Sequence, residues 1–124
     1  MPPRGEGPKK IIIEKLHFDP SQVSSYELLI DVHKKRTREL NDTSKILHKE
    51  LYTLLNTAHP DTSKANELIR SIADKQMEVD HLNFNHFSDI KNLCKPEQIE
   101  YFNSLTEDLA ELFGHKGPPP PHHK

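Results

Sequence analysis

Tryptophan is absent from this 124-residue chain, cysteine occurs once, and none of the four glycines falls between residues 8 and 113. Each absence excludes something. A lone Cys94 closes no internal disulfide and supplies no paired-cysteine metal or redox motif. An interior without glycine holds no Gly-rich phosphate loop and no nucleophile elbow, and H-E-x-x-H is missing as well. The chain therefore reads as non-enzymatic. No uninterrupted apolar run exceeds three residues, as in Ile11-Ile12-Ile13, so no segment suits a bilayer-spanning helix. Hydrophobic residues make up 33% and aromatics 6%. That is too little for a thick core but enough for thin stripes along helices. The 17 basic and 19 acidic residues are interspersed, with a net charge of -2, which argues against nucleic acid as a partner.

What the chain does have is proline at its ends and histidine throughout. Residues 1–8 and 114–124 are rich in Pro and Gly, the latter ending in a Pro/His-rich run, and are expected to be flexible tails. Residues 9–113 are expected to form one all-α domain. The glycine-free interior predicts long, unbroken helices. A short lead-in helix is expected over residues 9–16. Asp19-Pro20-Ser21-Gln22 then has the form of a capping box with Pro at the first helical position. The helix it opens meets no breaker before His59-Pro60-Asp61 and should reach about Asn56. A second long helix, capped by Asp61, Thr62 or Ser63, should run to about Leu93, and Pro96 should open a third that ends at Gly114. The two proline starts repeat one pattern, P-x-Q-[VI]-x-x-[YF]-x-x-L, beginning at Pro20 and again at Pro96. Convergence of good helix starts on such sequences is one reading of the repeat, and a shared structural role for the two copies is the other.

The first long helix has apolar and small residues at alternating spacings of three and four: Val23, Tyr26, Ile30, His33, Thr37, Leu40, Ser44, Leu47, Leu51 and Leu54. That period keeps one seam facing a partner helix. The second helix answers with Leu68, Ile72, Val79, Leu82, His86 and Leu93, flanked by Ile69 and Ile90. A turn centred between His59 and Pro60 pairs residues whose numbers sum to about 119. Leu54 then meets Ala65, Leu51 meets Leu68, Leu47 meets Ile72, Leu40 meets Val79, and Tyr26 meets Leu93. The same register sets His33 opposite His86. Neutral imidazole is a common ligand for zinc, nickel, cobalt and copper, so this pair is the candidate transition-metal site. An ordinary polar layer is the competing reading, and two ligands need others to complete a site. Asp89, Glu39, the tails or a second chain are the sources available. Met77 with His81, Cys94, and the tail residues His115, His122 and His123 are weaker candidates.

Leu93-Cys94-Lys95-Pro96-Glu97-Gln98, followed by Ile99 and Phe102, resembles the L-T-x-x-Q signature. That signature marks periplasmic heavy-metal sensor and resistance proteins and their Spy/CpxP-like stress-chaperone relatives. Phe18-Asp19-Pro20-Ser21-Gln22 is similar to the upstream copy of the same motif, with Lys95 standing where the downstream signature has Thr. The resemblance spans about residues 9–113. It implies a hooked antiparallel helical hairpin plus a third helix, assembled as a homodimer. It also implies a periplasmic location, with export or anchoring by an N-terminal segment absent from this chain. Sensor members would hold a metal ion at positions like His33 and His86 and pass the signal to a membrane-bound partner. The alternative is a stress chaperone that binds unfolded clients on a dimeric helical cradle. Independently, Leu28, Leu29, Ile46 and Leu55 lie off the seam and call for a second surface, which also argues for a dimer.

Overall fold

The computed structural model describes residues 7–114, and no strand occurs among them. Four α-helices follow in order: α1 (Gly7–Leu16), α2 (Pro20–Thr53), α3 (Thr62–Leu93) and α4 (Ile99–Gly114). Single 3₁₀ turns at Leu54–Asn56 and Pro96–Gln98 end α2 and lead into α4. The protein is thus all-α, with the lead-in helix, the two long helices and the last helix where the sequence puts them. The expected tails at residues 1–6 and 115–124 lie outside the described residues.

The helix starts follow the expected chemistry. The Asp19 carboxylate accepts the Gln22 N–H at 2.8 Å, and the Gln22 side-chain oxygen accepts the Asp19 N–H at 2.9 Å. This is the reciprocal capping box, with Pro20 at a position whose N–H no helix would use. At α3 the choice among three caps falls on Asp61. Its carboxylate accepts from the Lys64 N–H at 3.0 Å, and its carbonyl accepts from the Ala65 N–H at 3.0 Å. Asp61→Ala should cost about 1 kcal/mol, the usual value of such a cap. Urea unfolding would read the loss, and an unchanged midpoint would show that the helix starts without it.

Contacts gather the chain into two compact units. In the second, Tyr26–Ile90, α2 and α3 run antiparallel. His33 meets His86 and Asn83, while Arg36 reaches Glu78 at 3.0 Å, so rising numbers on α2 face falling numbers on α3. Every one of the ten expected seam positions on α2 is buried or half-buried, and between Val23 and Leu54 only Leu29 joins them. On α3, Leu68 is buried and Ile72, Val79, Leu82 and His86 are half-buried. The gap in the α3 stripe between Ile72 and Val79 is filled by Lys75. Its aliphatic stem lies in the seam while its ammonium leaves it to reach Glu78 at 2.8 Å. Ser44 on α2 is too small to fill the space at this level. A groove of about 310 Å³ remains, lined by Leu40, Ile72 and Val79 among others.

The first unit gathers α1, the first turn of α2, the last residues of α3 and α4. Leu16, Phe18, Phe102 and Leu105 form its apolar core. α1 ends in a Schellman-type turn: the Phe18 N–H reaches the Ile13 carbonyl at 3.2 Å and the His17 N–H the Glu14 carbonyl at 3.3 Å. The turn places His17 at φ 57°, a conformation glycine usually supplies. Two contacts offset that strain. The His17 ring lies 4.3 Å from the Tyr101 ring, and its carbonyl accepts the Gln98 amide at 2.8 Å.

Candidate functional site

The seam histidines meet. The His33 and His86 rings stack with centroids 4.1 Å apart and planes 18° from parallel, at the level the register requires. Phe87 sets its ring against His86 edge-on at 5.1 Å. His33 Nε2 lies 2.8 Å from the Asn83 side-chain oxygen, so this nitrogen carries a proton and donates it. Burial, and secondarily the repulsion of His33, hold the His86 imidazolium pKa down at about 4. At neutral pH His86 is therefore the uncharged ring, the form that ligates metals.

The donor set fits a metal in chemistry more than in its resting geometry. An imidazole lone pair lies in the ring plane, so two stacked rings aim theirs nearly side by side rather than at one point. An ion about 2.0–2.1 Å from a nitrogen of each ring requires one ring to turn out of the stack. The two carboxylates expected to help are already occupied or solvated: Glu39 pairs with Arg36 at 3.3 Å, and Asp89 is exposed. Among the described residues no group of three or more His, Cys, Asp and Glu is drawn together. His33 and His86 would thus be two ligands of an ion completed from elsewhere.

The weaker candidates separate. Met77 and His81 are both exposed on α3, and among the described residues His81 belongs to no group of three or more His, Cys, Asp and Glu. Cys94 is half-buried, and burial pushes its thiol pKa up, away from the thiolate a metal or a disulfide exchange would need. His115, His122 and His123 lie outside the described residues.

A second polar constellation connects the two sequence repeats. The carboxamides of Gln22 and Gln98, 76 residues apart, face each other inside the first unit. Gln22 Nε2 donates to Gln98 Oε1 at 2.7 Å, and Gln98 Nε2 donates to Gln22 Oε1 at 3.1 Å. Each oxygen also accepts its own helix's cap N–H, from Asp19 at 2.9 Å and from Lys95 at 2.7 Å. Each nitrogen also donates to a backbone carbonyl two residues before the opposite cap: Leu93 for Gln22 at 2.7 Å, His17 for Gln98 at 2.8 Å. Every hydrogen-bonding position of both amides is used, with an approximate local two-fold relation. Lys95 offers no side-chain acceptor, so the Gln98 N–H takes the Lys95 carbonyl instead, at 2.8 Å. Its ammonium reaches the other cap, Asp19, at 2.7 Å, which together with the Gln22 hydrogen bond holds that carboxyl below its usual range. The repeated P-x-Q is therefore a matched lock as well as a pair of helix starts.

The chain matches no family model, no curated protein and no solved structure.

Proposed function

We propose that this chain is a non-catalytic, metal-responsive binding domain of a periplasmic protein, with His33 and His86 as its ligands. The observation that carries the reading is the meeting of two seam imidazoles at one level, one of them uncharged at neutral pH. The likeness of residues 93–98 to the L-T-x-x-Q signature adds the compartment, the homodimer and the membrane-bound signalling partner to the same proposal. The chemistry suits zinc, nickel, cobalt or copper, whose affinity for neutral imidazole exceeds that of magnesium or calcium. Calorimetry should find micromolar binding of at least one of these ions. Outer-shell partners of metal ligands alone are worth about 10–100-fold in affinity, so removing both ligands in His33→Ala/His86→Ala should weaken binding at least as much. Equal binding by both proteins would end the metal assignment.

A second reading has its own observation. Leu28, Val32 and Ile46 on α2, and Met77 and Phe84 on α3, are exposed; Phe84 is 74% exposed and Leu28 69%. Apolar side chains left wet off the seam of the two long helices suit either a second copy or an unfolded client. In this alternative the protein is a stress chaperone that cradles clients. Suppression of aggregation of a reduced, unfolding client by wild type but not by Val32→Ser/Phe84→Ser would establish it.

A further inference from the structure

Net charge hides a local imbalance on α2. Lys34, Arg38 and Lys45 follow one another at i, i+4 and i+11, which brings all three within an arc of about 40° on a helix of 3.6 residues per turn. They line an open groove of about 390 Å³, together with His33, Thr37 and Asp42. Three cations thus face one carboxylate.

These cations are unmatched among the described residues, as Lys35 and Lys49 on the same helix also are, but only these three line the groove. Arg36, on the other flank of the same helix, is held by Glu39 and Glu78, and Lys75 is held by Glu78. Lys34, Arg38 and Lys45 make no ion pair or side-chain hydrogen bond among the described residues, and Asp42 makes none either. The groove contains a second, independent anomaly. The Thr37 hydroxyl is buried and has no hydrogen-bond partner. A hydroxyl left so is costly, and native folds rarely keep one without a use. Threonine in a helix divides between two χ1 rotamers, so a change of rotamer is open to this donor.

We propose that this groove is a binding site for a small oxyanion, a phosphate or a carboxylate. The Arg38 guanidinium fork and the Lys34 ammonium would grip its oxygens, Thr37 would donate the neutral hydrogen bond, and Lys45 would add charge from the far end. The proposal stands apart from the metal reading: it uses neither imidazole as a ligand and holds whether or not an ion binds there.

The test is a titration of the whole chain with inorganic phosphate and, separately, with citrate, at constant ionic strength set by chloride. The amide resonances of Thr37 and Arg38 and the methyl resonance of Thr37 report the site. Saturable shifts confined to residues around Thr37 are expected for one or both anions, and the comparison identifies which oxyanion the groove takes. Lys34→Gln/Arg38→Gln should weaken binding by ~10-fold or more, the size of one charge-assisted contact. Thr37→Val, close in shape, should also weaken it, whereas Lys49→Gln, outside the groove, should not. Gln and Val at exposed or half-buried helix positions leave the fold intact, which circular dichroism confirms independently. Shifts that grow linearly with both anions, or equal affinity in wild type and Lys34→Gln/Arg38→Gln, would overturn the proposal.

Discussion

Gln98→Ala should destabilise the protein by about 3–4 kcal/mol, several times the usual effect of losing one hydrogen bond. The reason is the number of groups left behind. Gln98 is 5% exposed, and its carboxamide makes four hydrogen bonds, to Gln22 twice, to the Lys95 N–H and to the His17 carbonyl. Removing it orphans two backbone groups and half of the Gln22 amide, which is itself 8% exposed. Each such group costs roughly 1–3 kcal/mol when it stays dry, and the total stays below the sum because water can enter beside the exposed Lys95. Gln98→Glu should also destabilise, since a carboxylate cannot donate to either partner and sets like charge against two oxygens. Gln22→Ala/Gln98→Ala should cost less than the two single changes added, because each orphan is then counted once. Urea unfolding monitored by circular dichroism measures all four proteins. A loss near 1 kcal/mol for Gln98→Ala would reduce the pair to an ordinary cap.

That lock shows where sequence reasoning reached and where it stopped. The α2 side of the seam was legible, because its 3.5-residue period depends only on spacing, and each of its ten positions is withdrawn from solvent. The level of His33 and His86 was legible too, once one turn position set the register. The stacking of their rings and the hydrogen bond to Asn83 were not, since register places Cα atoms and says nothing of χ angles. Spacing of apolar residues alone misses Lys75, because its charge masks the four-carbon stem that fills the seam. The contact of Gln22 with Gln98 was within reach: the sum of 119 that pairs the seam puts Gln22 one residue from Gln98. The repeat itself specifies two local starts, and local capping does not require the two starts to meet. The cations around Thr37 were invisible for a different reason. A net charge of -2 averages over the chain, whereas the groove depends on which carboxylates fall on the opposite flank.

Metal-free protein should lose stability as pH falls from about 6.5 to 4, and His86 should account for much of the loss. Its folded pKa, about 4, lies below the 6.5 of an unperturbed imidazole because burial, with His33 beside it, disfavours the charged ring. A base whose folded pKa is lowered binds protons more readily when unfolded. Its contribution is therefore complete above about pH 6.5, falls between 6.5 and 4, and is flat below 4. The full separation would correspond to about 3 kcal/mol, but the ring is only half-buried, and solvent screening brings the expected loss to about 1–2 kcal/mol. Asp19 and Glu78 also have lowered pKa values, from their lysine partners foremost, and their contributions disappear as pH falls through a lower range. They remain in His86→Gln, which replaces the imidazole with an uncharged amide. The difference between the unfolding free energies of wild type and His86→Gln, in the presence of a chelator, thus isolates the one group. It should shrink steadily from pH 6.5 to 4 and then hold constant. A difference independent of pH across that interval would mean that His86 takes up its proton in the stack as easily as in water. The ring would then be solvated rather than withheld, and the seam would be open at the level where the ion is proposed to bind.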